Sequence, residues 1–223
     1  GVMDALDLLK KVNSGEEVKI GGKVVVIGGG SGAIDASRVS LRLGVREVHL
    51  VCLESRELTS RDRMPAQDLE IEEAEKEGIF IHPCLGVKRI RTDQGRVSGL
   101  ETVGCLSVLD QEGRFSPKFS EEEEGLIDAD TIIVAIGQKA NPIDFVELER
   151  GPSGNILADE LTLVTNIKGL FAGADVVTGP ANVIRSIAHG KRGAVSIDRY
   201  LRGVDLRKGR SLPVKEVNEH IRR

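Results

Sequence analysis

Apolar residues enter this chain first as short unbroken runs and only later in alternation. Val24, Val25, Val26 and Ile27 make one run, and residues 47–53 (EVHLVCL) make another. Such runs predict strands buried on both faces, as in a parallel sheet. The segment between them, 33–43, has the length of a helix. A second helix is expected from Pro65 through AQDLEIEEAEKEG to Gly78, followed by a third strand at 79–82. The order β-α-β-α-β predicts an α/β fold built on a Rossmann-like, doubly wound parallel sheet. Upstream, Leu6, Leu8, Leu9 and Val12 give residues 2–13 a helical spacing, and 14–17 (SGEE) read as a turn.

The period then shifts from runs to alternation. Segments 86–91, 96–103 and 105–109 alternate apolar and polar residues, with Asp93-Gln94-Gly95 as a hairpin turn. This predicts a small antiparallel β insertion. Residues 111–125 carry a glutamate run at 121–124 and read as a solvated loop. Residues 129–137 (ADTIIVAIG) read as a buried strand rejoining the parallel sheet. Pro142 and 151–154 (GPSG) break the chain. A short strand at 169–175 ends in Asp175, and 182–201 reads as a helix with Ile184, Ile187, Ala188, Ala194 and Ile197 on its apolar face. The charged stretch 202–223 is expected to be a mobile tail. The expected division is 1–19 as crossover helix and linker, 20–140 as a nucleotide-binding domain, and 141–223 as a second domain's C-terminal part with its tail.

The junction KVVVIGGGSGAIDAS adds chemistry to this pattern. Gly28-x-Gly30-x-x-Ala33 fits the dinucleotide fingerprint G-x-G-x-x-A between strand and helix. Gly28 suits a tight turn, Gly30 lets a pyrophosphate approach the main chain, and Ala33 lets the helix pack close to the strand. The phosphates would meet free N–H groups at the positive helix end. Gly28, Gly29, Gly30, Ser31, Gly32 and Ala33 are therefore the candidate cradle. Glu54 ends the second apolar run, about 20 residues past the turn, where a carboxylate accepts the ribose hydroxyls. The plain alternative is a strand–helix turn that merely favours glycine.

Composition narrows the function classes. Net charge is −4 with both signs interspersed, and there is no Trp, one Tyr and five Phe. Neither a basic stripe nor a stacking platform argues for nucleic acid. No apolar run is long enough to span a membrane. Cys52, Cys84 and Cys105 are widely spaced, with no C-x-x-C, so a metal or dithiol site is not expected and a cytoplasmic setting is. His49, His82, His189 and His220 lack metal-ligand spacing. No catalytic residue is assigned.

Three stretches taken in order carry a family resemblance: GGGSGAIDASR, ADTIIVAIGQKANP and GLFAGAD…GPANVIRSIAHGKRGA, with RMPA at 63–66. The chain resembles the small (beta) subunit of glutamate synthase and related NAD(P)H-dependent flavoproteins with two dinucleotide-binding domains. The resemblance covers essentially the whole chain. It implies that Asp175 faces the ribityl or pyrophosphate part of FAD, where the family's Gly-Gly-Asp or Ala-Gly-Asp reads Gly173-Ala174-Asp175. It also implies that Gly137 and Gln138 lie near the nicotinamide. Family members begin with a cysteine-rich region and a further glycine motif for FAD. The chain is therefore expected to be the C-terminal portion of a longer flavoprotein, including a remnant of an FAD-binding domain. Its partner would be the missing N-terminal FAD and iron–sulfur region, a separate subunit, or another copy in a homo-oligomer.

On this reading hydride passes from the nicotinamide to the flavin, and the protein supplies position and electrostatics. Relatives that use NADPH commonly carry two arginines just after the second strand. Leu53 and Glu54 stand there, so NAD(H) is favoured, while Arg56, Arg61 and Arg63 keep NADP(H) open. A dehydrogenase with its own proton donor fits less well, because Tyr200 lacks a lysine four residues later. A glycine-rich methyltransferase would leave Gly137 and the C-terminal motif unexplained. A nucleotide-binding or assembly module without activity of its own is the alternative from another class.

Overall fold

The computed structural model describes residues 1–138 and 147–212, and of residues 121–124 the backbone alone. The expectations for Pro142, for the join at 140/141, for residues 213–223 and for the glutamate side chains at 121–124 lie outside the described residues. The chain divides into two compact units, Gly1–Gly137 and Gln138–Arg223.

The first unit is built on a five-stranded parallel sheet. Its strands are β1 (Val2–Asp4), β2 (Lys23–Ile27), β3 (Glu47–Val51), β4 (Phe80–His82) and β8 (Thr131–Val134), in the order β1-β8-β2-β3-β4. Val24, Val25 and Val26 are wholly buried because both faces of β2 are covered. Helices α1 (Ala5–Asn13), α2 (Ser31–Arg42) and α3 (Asp68–Lys76) cover one face. There Leu8, Ile34 and Ile71 pack on Val24, Val26, Leu50 and Ile133.

The other face is covered by an antiparallel sheet rather than by helices. Strands β5 (Leu85–Asp93), β6 (Arg96–Leu109) and β7 (Phe115–Asp128) form it in sequence order. Leu100 and Ala129 meet Val25, Val51 and Ile132 in a second core, flanked by Leu85, Ile90, Val97 and Ile127. The expected insertion thus supplies the sheet's second layer. Gln94 and Gly95 both have positive φ (47° and 77°) between the paired Asp93 and Arg96, so they make the two-residue hairpin turn.

In the first unit two elements differ from the sequence reading. Residues 2–13 are not one helix: Val2–Asp4 pairs with Ile132–Val134 as an edge strand, and α1 begins at Ala5. Asp4 makes the break by accepting the Leu6 N–H at 2.8 Å as the helix cap. Nor is 111–125 a loop, since β7 runs through most of it and pairs along β6. Ladder hydrogen bonds need no apolar side chains, so charge along an exposed strand hides it from a hydrophobicity pattern.

Among its described residues the second unit has little regular structure beyond α4 (Asp175–Thr178) and α5 (Val183–Leu201). The expected strand at 169–175 is reduced to a single bridge, Val164 to Phe171. Asn182 caps α5 by accepting the Arg185 N–H at 3.0 Å. The buried residues of α5 are His189, Gly193 and Ser196. The apolar Ile184, Ile187 and Ile197 expected to form its inner face are exposed, Ile184 by 77%. Residues 202–212 are not a free tail. Arg199 Nη1 donates to the carbonyls of Asp205 and Lys208, and Arg210 Nη2 donates to those of Leu161 and Arg192.

Candidate functional site

The glycine turn lies at the carboxyl ends of β2 and β8, where the chain's course through the sheet reverses. From β2 the chain moves outward to β3 and β4, while β8 and β1 lie on the other side. Such switch points open a crevice in parallel sheets. The turn is locked to both neighbours: the Gly28 N–H donates to Val51 O at 2.8 Å and the Ala135 N–H to Ile27 O at 2.8 Å. Gly28 has φ +139°, and a Cβ there would lie 2.3 Å from Ala135 O. No larger residue fits without moving backbone. At Gly30 the opposite holds, since a Cβ would have nothing within 4 Å.

Gly30 is also the N-cap of α2 and offers no side chain to cap it. The Ala33 N–H donates to Gly30 O at 2.9 Å, so the Ser31 and Gly32 N–H groups are the ones left for a ligand oxygen. Gly32 faces open space as well, whereas Ala33 is fully buried against the sheet. The buried hydroxyls of Ser37 and Ser40 donate to the carbonyls of Ala33 and Ala36 at 2.8 and 2.7 Å, so small side chains hold α2 close to β2 without unpaired polar groups. An open main chain at a helix end beside a switch point fits a pyrophosphate.

A second segment clamps the turn. Met64 and Ala66 are buried, and the Ala66 N–H donates to Gly29 O at 3.1 Å. Ser31 Oγ donates to Glu70 Oε2 at 2.7 Å, and the Gln67 N–H reaches the same oxygen at 3.2 Å. Glu70 therefore closes the capping box of α3 and ties it to the first residue of α2. Sequence reasoning missed Glu70. The signal was available in Gln67-x-x-Glu70 just after Pro65, at the start of the expected helix.

Glu54 stands at the end of β3, as expected, but its carboxylate is turned toward the turn. A Cβ on Gly29 would lie 2.6 Å from Glu54 Oε2. Burial pushes the Glu54 carboxyl above its ordinary range, with the Asp62 charge adding to the shift. The three arginines beyond it each have a partner. Arg56 bonds Glu75 at 3.2 and 3.3 Å, which raises its pKa further. Arg63 meets Asp68 at 3.4 Å, and Arg61 donates to Gln111 O at 3.2 Å.

Gly137 ends the first unit in a positive-φ conformation (116°) with open space around it, and Gln138 is exposed. Asp175 is an exposed residue of the second unit, at the start of α4. Before it, Ala174 has φ 59° and ψ −148°, a conformation that is essentially glycine's. The Ala174 N–H donates to His189 Nδ1 at 2.8 Å. The alanine that stands in the motif's glycine position thus sits in a conformation that a Cβ disfavours.

Cys52 and Cys105 are buried free thiols, and burial pushes Cys52 up to about 12. Cys84 is exposed. His49 bridges His82 and Glu47 at 2.8 Å on each side. Among the described residues no group of His, Cys, Asp or Glu could hold a metal ion. No described helix is long and apolar enough to cross a membrane.

The family model for pyridine nucleotide-disulphide oxidoreductases matches residues 1–190. The chain belongs to that family. It is 37% identical over 206 residues to the NADP(+)-dependent formate dehydrogenase subunit beta of Moorella thermoacetica, covering 91% of this chain and 28% of that protein. It is 33% identical over 213 residues to the glutamate synthase [NADPH] small chain of Azospirillum brasilense, covering 89% of this chain and 43% of the relative. The chain thus spans less than half of either. Its fold matches FprA of Mycobacterium tuberculosis in complex with NADPH (TM-score 0.66, 14% identity, 90% of this chain and 58% of that one). It also matches T. acidophilum thioredoxin reductase (TM-score 0.59, 21% identity, 83% and 54%). The resemblance to the glutamate synthase small subunit and the α/β fold are both borne out.

Proposed function

We propose that this chain is the pyridine-nucleotide-binding portion of a flavin-dependent oxidoreductase related to the glutamate synthase small subunit. Residues 20–140 would carry the nucleotide site, and residues 141–223 would contribute to an FAD-binding domain. The observation that carries the reading is the paired behaviour of Gly28 and Gly30: one has no room for a side chain, and the other opens an uncapped helix end to a ligand. When bound, NAD(P)H would supply a hydride and FAD would accept it. The Gly30 backbone and the first turn of α2 hold the pyrophosphate, and Gly29, Ser31, Gly32 and Ala33 shape that cradle. Gly137 and Gln138 border the nicotinamide. Asp175 holds part of the flavin. No side chain of this chain is assigned a proton-transfer role.

The expectation of NAD(H) is revised. Both quoted relatives are named for NADP or NADPH, so NADP(H) is the nucleotide we propose. The inward turn of Glu54 supports this, because its carboxylate packs at Gly29 instead of standing free for a ribose. Arg56 is the candidate for the 2′-phosphate, exchanging Glu75 for the ligand. Arg56→Ala is expected to weaken NADPH about tenfold and leave NADH within about twofold. Equal losses for both nucleotides, measured by calorimetry, would move the phosphate contact elsewhere. The free thiols Cys52, Cys84 and Cys105 fit a reducing cytoplasm.

A nucleotide-binding or assembly module is the second reading. It is favoured by the exposed apolar residues of α5, among them Val183 and Ile184. Reduction of an artificial acceptor by NADPH in the full-length protein decides for the oxidoreductase, and binding without reduction decides for the module.

A further inference from the structure

We propose that His189 is a positioning residue: its neutral Nδ1 latches Ala174 in a glycine-type conformation and so fixes the direction in which Asp175 is presented to FAD. The inference rests on the flavin reading of Asp175 given above.

The geometry comes from two segments of the second unit. Asp175 is set by the residue before it, and that residue is an alanine at φ 59° and ψ −148°. A Cβ disfavours this conformation, so something outside the residue must hold it. Two hydrogen bonds follow from the turn, Val177 N–H and Thr178 N–H to Ala174 O at 2.9 and 3.0 Å, and they fix α4 after Asp175. On the other side of the peptide, the Ala174 N–H points into α5 and donates to His189 Nδ1 at 2.8 Å. His189 is itself buried, and Leu163 packs beside it. A Cβ on Gly173 would lie 3.2 Å from the His189 Cβ and 3.3 Å from its Nδ1, so His189 packs tightly against that position. The imidazole therefore grips both residues ahead of Asp175.

An Nδ1 that accepts a hydrogen bond cannot carry a proton, so the latch exists only with neutral imidazole. The charges facing His189 favour that state. Burial lowers its pKa, the Arg192 and Arg185 guanidinium groups of α5 lower it further, and Glu160, on the loop ahead of Leu163, pulls the other way. Below the ordinary histidine range the proton would take the acceptor away. Ala174 would then be free to relax, and Asp175 would turn with it.

Three variants of the full-length flavoprotein test this. Asn places Oδ1 where His places Nδ1, so His189→Asn keeps the acceptor and removes the titration. His189→Ala removes the acceptor. Ala174→Gly removes the strain. FAD dissociation is followed by the release of flavin fluorescence from pH 8 to pH 5, and the Ala174 amide is followed by NMR over the same range. Wild type is expected to lose FAD affinity roughly three- to tenfold on acidification, in step with a shift of the Ala174 amide. His189→Asn should be flat in both readouts. His189→Ala should be weak at every pH and largely rescued by Ala174→Gly. Identical pH profiles for wild type and His189→Asn would overturn the latch, as would an Ala174 amide that does not move. Failure of FAD to bind any variant at any pH would sink the flavin reading and the presentation of Asp175 with it. The amide titration would still decide whether His189 holds Ala174.

Discussion

Gly28 and Gly30 look alike in the sequence and do opposite things. Gly28 is fixed by its φ of 139° and by Ala135 O at 2.3 Å from a would-be Cβ. Gly28→Ala is expected to cost about 2 kcal/mol or more in urea unfolding, because strained backbone and a backbone clash add. A wild-type midpoint would show that the turn relaxes freely. The steric roles of Gly28 and Gly30 were legible residue by residue, since each glycine has its own duty in a strand–turn–helix. The orientation of Glu54 was not, because spacing places a side chain at a strand end without saying which way it turns. Its buried carboxyl has a folded pKa above its unfolded value. Ionised Glu54 therefore costs stability as pH rises through the carboxylate range. Glu54→Gln should raise the Tm at pH 7 and lose that advantage as pH falls below the unfolded pKa of about 4.3, where both states become protonated. An unchanged Tm at pH 7 would mean that the carboxylate is solvated after all.

Helix and strand ends carry the next layer of the account. Glu70 joins α3 to α2 through Gln67 and Ser31. Glu70→Ala should cost about 1 kcal/mol, as loss of a cap does, whereas Glu70→Gln should retain most of it. Chemical denaturation separates the two, and an equal loss in both would implicate the charge instead of the cap. At the edge of the parallel sheet, burial and the charge of His49 lower the pKa of His82. A histidine held neutral contributes stability above its unfolded pKa of about 6.5 that is lost as pH falls below it. The Tm should thus drop between about pH 7 and pH 5, and His82→Gln should shallow that drop; the same slope in both proteins would exclude His82 as its source. The buried strands β2, β3 and β8 were legible because burial on both faces demands apolar runs. β1 and β7 were not. A three-residue edge strand is too short to show a period, and β7 is charged in sequence, so its backbone pairing leaves no apolar pattern to read. The helix α5 was legible in extent but not in orientation: its buried positions are His189, Gly193 and Ser196, chosen for small size or a hydrogen bond, not for hydrophobicity.

For the whole molecule, the family is established and the reach of this chain within it is partial. It spans 28% of one relative and 43% of another. In the proposed assignment this chain contributes Asp175 to the flavin site. The 223-residue chain purified by itself should therefore be colourless, while the full-length protein should carry FAD. Stoichiometric FAD on the isolated chain would mean that a second copy completes the site. The central claim is that the uncapped first turn of α2 receives the pyrophosphate of a pyridine nucleotide, and calorimetry with NADPH on wild type and Gly30→Val measures it most directly. A Cβ at Gly30 meets no protein atom within 4 Å, so the variant should fold, with at most the small loss of a poorer N-cap. The account predicts saturable binding to wild type and a loss of at least about tenfold in the folded variant. Equal NADPH affinity in a folded Gly30→Val protein would contradict it.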